Sequence, residues 1–140
     1  MRTDDLPPGK GSYQTSFHFL KPPSSIYTSF IKIKKMNHFI ALNQLAAEEA
    51  LTGALLSTIQ TENLTVAYTH MKAGVQIPLH QHPEEAIDII LDGILEMEIG
   101  EKTDMLTPGM LTTVPSQVPH AAKAITDCRV VTIFYPQRNK

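Results

Sequence analysis

From residue 64 onward the sequence is divided into short β-favouring segments separated by turn signals. Residues 64–71 and 94–99 alternate between apolar and polar, residues 86–91 are a short β-branched run, and residues 129–135 form a final predicted strand. The turns between them are rich in glycine and proline, as in Asp92-Gly93 and Pro108-Gly109. Alternation with a period of two is typical of half-buried β-strands. Strands this short and closely spaced predict an all-β sandwich or barrel of the jelly-roll type.

The first 35 residues differ in composition from the rest and contain the clusters Pro7-Pro8-Gly9 and Pro22-Pro23-Ser24-Ser25. This predicts an irregular extension over residues 1–35, followed by a single domain over residues 36–138. Residues 26–33 alternate and are rich in β-formers, so they are candidates for an added edge strand.

Residues 43–56 contain a run of helix-favouring residues and end near Gly53. This run predicts one short helix before the strands. Seven apolar residues are expected to line the core or a pocket: Leu79, Ile90, Leu95, Met97, Ile99, Val114 and Phe134.

Charge and cysteine content exclude several kinds of partner. The net charge of -2 provides no basic surface for a polyanion, so nucleic acid is not expected as a partner. The single cysteine, Cys128, cannot form an intramolecular disulfide. No apolar run approaches the roughly 20 residues that span a bilayer, and no secretory signal is evident. A cytoplasmic protein with a small-molecule ligand and no membrane partner is therefore expected.

Three of the six histidines carry the main chemical prediction. His80 and His82 are two positions apart, and on a strand such residues project from the same face. His120 follows a turn with two prolines that is able to return it to the same point. Neutral imidazoles bind Zn, Fe, Mn, Ni and Cu, and three of them leave coordination positions open for water or substrate. We expect one divalent metal ion on this triad, or a metal-free pocket in which the histidines are only polar lining.

The spacing around these histidines resembles the first motif of the cupin superfamily, G-x5-H-x-H-x3or4-E-x6-G. Gly74, His80, His82 and Gly93 stand at the motif positions. The second motif, G-x5-P-x-G-x2-H-x3-N, is met in part by Pro115 and His120. Gln117 replaces its second glycine, and Ala124 replaces its asparagine. The resemblance implies a cupin jelly-roll barrel that holds its metal on the three histidines.

The sequence departs from the first motif at Ala86, where the family has a Glu or Gln ligand. Asp88 has the same strand parity as Ala86 and stands among isoleucines, where an unpaired buried carboxylate would be costly. Asp88 is therefore a candidate fourth ligand or general base, unless its side chain faces outward. Glu85 has the opposite parity, and only a bulge near Pro83 would turn it inward.

Residues 36–138 most resemble the small single-domain cupins related to the pectin-degradation protein that converts unsaturated uronates to linear ketones. This resemblance implies a metal-dependent enzyme of carbohydrate metabolism, with isomerase-like Lewis-acid and acid/base chemistry on an unsaturated uronate or keto sugar. Fe(II) dioxygenase-type chemistry is a second enzymatic possibility, and a non-catalytic cupin that binds or senses a small ligand is the alternative from another class. A homodimer is also implied, since small cupins commonly pair through N-terminal strands and sheet edges.

Overall fold

Strands account for most of the regular structure in the computed structural model, which describes residues 38–139. After a 3₁₀ helix at Leu42–Gln44, the strands are β1 (Glu48–Leu51), β2 (Ala54–Gln60), β3 (Thr65–Met71), β4 (Gln76–His80), β5 (Glu85–Asp92), β6 (Leu95–Ile99), β7 (Lys102–Leu106), β8 (Leu111–Val114), β9 (His120–Ala124) and β10 (Cys128–Tyr135). One sheet has the order β1-β2-β3-β10-β5-β8, and the other has the order β4-β9-β6-β7. The prediction of an all-β jelly roll is confirmed.

The core lies between the two sheets and is made by the inward residues of each strand. Ile90, Val114 and Met71 are almost completely buried in it. Ala54, Ala67 and Ala86 occupy other inward positions, where longer side chains would fill the interior. A cavity of about 480 Å³ remains between the sheets.

The helix predicted over residues 43–56 is wrong, because most of this segment forms the antiparallel pair β1 and β2. Leu51 pairs with Ala54 across the two-residue loop that contains Gly53 at φ +84°. Ala54 also pairs with Met71 of β3, and both side chains are buried. Pairing with β3 and burial of Ala54 outweigh a helix preference that amounts to less than about 1 kcal/mol per residue.

The expectation that Leu79 lines the interior is also wrong, since this side chain is 62% exposed. His80, the next residue, faces the inside of the barrel, and adjacent residues on a strand point to opposite faces. The segment 26–33 lies outside the described residues. Between residues 38 and 139, no helix has the length and apolar character needed to cross a membrane.

Two motif glycines have different surroundings and provide a test of the fold. Gly74 and Gly93 have φ values of +87° and +86°, a region that costs a residue with a Cβ about 1–2 kcal/mol. A Cβ on Gly74 would meet nothing within 4 Å. A Cβ on Gly93 would overlap the carbonyl oxygen of Asp127 and lie 2.9 Å from the Cα of Cys128.

We therefore expect Gly93→Ala to lower the free energy of unfolding more than Gly74→Ala does. The Gly74 variant should lose about 1 kcal/mol from backbone strain alone. The Gly93 variant should lose about 3 kcal/mol or more, because the backbone must also shift. Urea denaturation of both variants measures the difference, and equal losses would contradict the close packing described at Gly93.

Candidate metal centre

Pairing of β4 with β9 brings two of the three predicted ligands, His80 and His120, together. His80 is the last residue of β4, His120 is the first residue of β9, and the two are direct partners in the antiparallel register. The register shifts between Ile77 and His80, at an irregularity next to Pro78, which has no N–H to donate. His82 follows two residues later in the loop to β5. The three predicted histidines therefore meet at one end of the barrel.

The turn before His120 is tied to the loop that carries His82. The Gln117 N–H donates to the His82 carbonyl oxygen at 2.8 Å, and the Val118 N–H donates to the Pro115 carbonyl oxygen at 3.2 Å. Gln117 has φ +62°, the left-handed conformation that favours glycine. This residue stands where the second motif has glycine, so the chain keeps the turn geometry of the motif without the residue that adopts it most readily.

The three imidazoles are close enough to share one ion. The ring centroids of His80 and His120 are 4.2 Å apart, and those of His82 and His120 are 4.7 Å apart. One ligand atom from each histidine lies within 4.8 Å of the other two. His82 and His120 are buried, whereas His80 is exposed, so solvent reaches the triad at His80.

Hydrogen bonds fix which nitrogen each histidine presents. The Nδ1 atoms of His80, His82 and His120 lie 2.8, 2.9 and 2.8 Å from the carbonyl oxygens of Pro78, Glu84 and Val118 respectively. A carbonyl oxygen only accepts, so each Nδ1 must carry the proton and donate. In a neutral imidazole the other nitrogen, Nε2, then holds a lone pair.

The electrostatic environment of His120 favours this neutral form. Burial lowers the pKa of His120 below its ordinary value of 6.5, and the hydrogen bond to the Val118 carbonyl oxygen only partly opposes that shift. A neutral imidazole is the form that binds a metal ion. The ligand atoms are three neighbouring Nε2 nitrogens, and each ring is fixed by a backbone hydrogen bond from its Nδ1. This is a ligand set that Zn²⁺ and related divalent ions prefer. The residues present therefore fit a divalent metal and could bind one.

Asp88 faces the interior, as the parity argument predicted. It is buried on β5 and lines the same cavity as the histidines. Its Oδ1 accepts a hydrogen bond of 2.7 Å from Thr132, and its Oδ2 accepts one of 3.1 Å from Thr112. The cluster of potential ligands within 4.8 Å, searched over the described residues, contains the three histidines without Asp88. Asp88 is thus a hydrogen-bonded carboxylate in the cavity wall.

The motif ligand position is occupied by a buried methyl group. Ala86 faces inward beside Phe134 in the strand register and lines the cavity. Glu85, one residue earlier, is exposed and pairs with Tyr135. Neither Ala86 nor Glu85 therefore supplies a side-chain ligand at the motif position.

Two residues near the triad were not assigned a role from the sequence. The Glu84 carboxylate lies 3.4 Å from His82 Nδ1, and its other oxygen lies 3.8 Å from Arg138 Nε. The Arg138 guanidinium lies 4.7 Å from the centroid of the Phe134 ring. The only sequence signal for a role of Glu84 was its position two residues after His82. Strand parity gave no further information, because Glu84 lies in a loop.

Comparisons with known proteins agree with this fold. The cupin domain family model matches residues 67–134. The structure of KdgF from Halomonas sp. has a TM-score of 0.69 and 22% identity, with coverage of 74% of this chain and 97% of that chain. An RmlC-like cupin from Shewanella frigidimarina has a TM-score of 0.69 and 21% identity, with coverage of 74% and 95%.

A mutant of Bacillus subtilis oxalate decarboxylase also matches, with a TM-score of 0.65 and 18% identity over 72% of this chain and 30% of that chain. No curated protein matches the chain. At these identities the structural matches establish the fold alone. Residues 67–134, from β3 to β10, match the cupin domain family, and the described residues have the histidine motif and the two-sheet jelly-roll barrel of that fold.

Proposed function

We propose that this protein is a metal-dependent cupin enzyme that acts on a small oxygen-rich metabolite bound in the cavity beside the histidine triad. The observation that carries the proposal is the common orientation of the three imidazoles. Each donates through Nδ1 to a backbone carbonyl, which leaves three Nε2 lone pairs at the edge of a cavity of about 480 Å³. Cavities of roughly this size bind small metabolites.

The triad would hold one divalent ion, which supplies Lewis-acid activation of a carbonyl or hydroxyl oxygen, or redox chemistry if the ion is iron. Our candidate for proton transfer is Asp88, and its position in the cavity wall outside the histidine cluster supports this choice. Hydrogen bonds from Thr112 and Thr132 hold both of its oxygens and leave lone pairs for a substrate proton. We therefore propose Asp88 as general base and not as fourth ligand.

An unsaturated uronate or a related keto sugar is the proposed substrate class, on the strength of the likeness to the pectin-degradation cupins. Arg138 lines the cavity and offers a positive charge to a carboxylate. Replacement of the motif ligand by Ala86 would change the surroundings of a metal bound to the triad. The substrate of this chain is therefore expected to supply an oxygen at the position that the family fills with a side chain.

The first prediction concerns metal content. Protein purified without added metal should contain close to one divalent ion per chain, and His82→Ala should lose it, because two imidazoles remain where three are needed. His70→Ala is the matched control, since His70 is exposed on β3, away from the cavity lining. Inductively coupled plasma mass spectrometry measures all three proteins. Equal metal content in wild type and His82→Ala would contradict the site.

The second prediction concerns Asp88. Asp88→Asn should keep the metal and lower turnover of a 4,5-unsaturated uronate by about 100-fold or more, the usual contribution of general acid–base catalysis. Turnover is followed by the loss of ultraviolet absorbance of the conjugated double bond. Asp92→Asn, an exposed change on the same strand, should leave turnover unchanged.

Two outcomes would contradict this assignment of Asp88. Loss of metal in Asp88→Asn would identify Asp88 as the fourth ligand. Stoichiometric retention of the uronate by wild type, without conversion, would support the alternative of a binding cupin.

We also propose that the chain forms a homodimer. Ile87, Leu91 and Leu111 are 37%, 43% and 57% exposed on the outer side of the six-stranded sheet, where a second copy would cover them. Light scattering after size exclusion should give twice the chain mass of 15.5 kDa. Leu111→Glu should shift the protein toward monomer, and a monomeric wild type at micromolar concentration would contradict the proposal.

A further inference from the structure

We propose that Glu84 is a positioning residue of the metal centre, whose buried carboxylate lies behind His82 and strengthens this imidazole as a ligand. The inference rests on the proposed metal site and adds a residue that the cupin motif does not specify. Glu84 is the second residue after His82, in the loop between β4 and β5.

Glu84 contacts the same nitrogen of His82 through two of its groups. His82 Nδ1 donates to the Glu84 carbonyl oxygen at 2.9 Å and lies 3.4 Å from the carboxylate Oε2. The Nδ1 proton is therefore donated to the backbone oxygen, and the negatively charged Oε2 lies near it without a hydrogen bond of its own. Both interactions lie on the side of the ring away from Nε2, so neither competes for the atom that would bind the metal.

The carboxylate is placed where its charge has little access to water. The Glu84 side chain is 13% exposed, and Oε2 is buried without a hydrogen-bond partner. A buried acceptor that lacks a donor carries a desolvation cost that folding does not recover. The Nδ1–H of His82 lies close by, and it becomes a stronger donor when Nε2 gives its lone pair to a cation. Glu84 therefore interacts more favourably with the metal-bound state of His82 than with the free state.

By reciprocity, a carboxylate that is stabilised by metal binding also tightens metal binding. Carboxylate–histidine–metal arrangements act in this way, because the carboxylate orients the ring and raises the basicity of the ligating nitrogen. At Glu84 the negative charge also offsets part of the charge of a divalent ion, in a region of low dielectric where such an interaction is strong.

A second contact holds the carboxylate in place. Its Oε1 lies 3.8 Å from Arg138 Nε, and the Arg138 guanidinium lies over the Phe134 ring at 4.7 Å from the centroid. Phe134 in turn packs edge-on against His82, with centroids 5.5 Å apart. Glu84 is thus held between the imidazole and a stacked guanidinium.

The next residue provides a matched control. Glu85 carries the same charge one position further along the chain, but it is exposed and pairs with Tyr135 on β10. Its charge faces water and is screened. A comparison of Glu84→Gln with Glu85→Gln therefore separates the buried contact from the general effect of removing one negative charge near the site.

The experiment measures Zn²⁺ affinity of the metal-free proteins by competition with a chromophoric chelator. Glu84→Gln should bind Zn²⁺ about 10- to 100-fold more weakly than wild type, the usual cost of losing an outer carboxylate. Glu85→Gln should stay within about twofold of wild type, because exposed charges interact weakly with the site. Glu84→Asp keeps the charge but withdraws it by one methylene, and its affinity should fall between those of wild type and Glu84→Gln.

Thermal unfolding of the metal-free proteins distinguishes positioning from support of the fold. Glu84→Gln removes a buried charge with an unsatisfied oxygen, so its Tm without metal should equal or exceed that of wild type while its Zn²⁺ affinity falls. A purely structural role would lower the Tm and leave the affinity of the folded protein unchanged. If Glu84→Gln fails to fold, the intermediate affinity expected of Glu84→Asp tests the same claim.

Three results would overturn the proposal: equal affinities of Glu84→Gln and wild type, equal losses in Glu84→Gln and Glu85→Gln, or a lower Tm with unchanged affinity. Failure of the proposed function looks different. In that case wild type itself binds no Zn²⁺ and His82→Ala changes nothing, so there is no metal site for Glu84 to tune.

Discussion

The antiparallel register between β4 and β9 is the constraint on which the candidate site depends. It sets His80 directly opposite His120, and the irregularity near Pro78 adjusts the end of β4 before the chain turns toward His82. A shift of one residue in either strand would turn one of these imidazoles to the other face of the sheet. The hydrogen bond from Gln117 to the His82 carbonyl then joins the two motif segments, so the triad is set by backbone contacts before any ion binds.

The barrel contains both a packed apolar core and a cavity. Ile90, Val114 and Met71 supply fully buried apolar surface, while alanines at positions 54, 67 and 86 leave room for a ligand near the histidines. Larger residues at the alanine positions would bury more apolar area and would stabilise the domain at about 25 cal/mol per Å². The small side chains therefore indicate that space in the barrel has a use other than stability.

Local patterns in the sequence predicted the parts of the fold that depend on local rules. Period-two alternation identified β3 and β6, runs of β-favouring residues identified β5 and β10, and the histidine spacing identified a triad that the structure brings together. The helix prediction over residues 43–56 failed because pairing of β2 with β3 is a contact between distant segments, and propensity does not report it. Glu84 was missed for a similar reason, because its contact with Arg138 depends on the segment after β10 returning to the β4–β5 loop.

The acidic side chains near the triad stand at other positions than the acidic ligand of the family motif. The roles proposed for Glu84 and Asp88 together account for this difference. The motif places an acidic or amide ligand at the position of Ala86, where it would occupy one coordination site. Here Glu84 lies behind His82 and Asp88 lies in the cavity wall, so negative charge remains near the site while the position at Ala86 stays open. A divalent ion bound by the triad would keep part of its charge compensation from these two carboxylates, although Ala86 supplies no side-chain ligand.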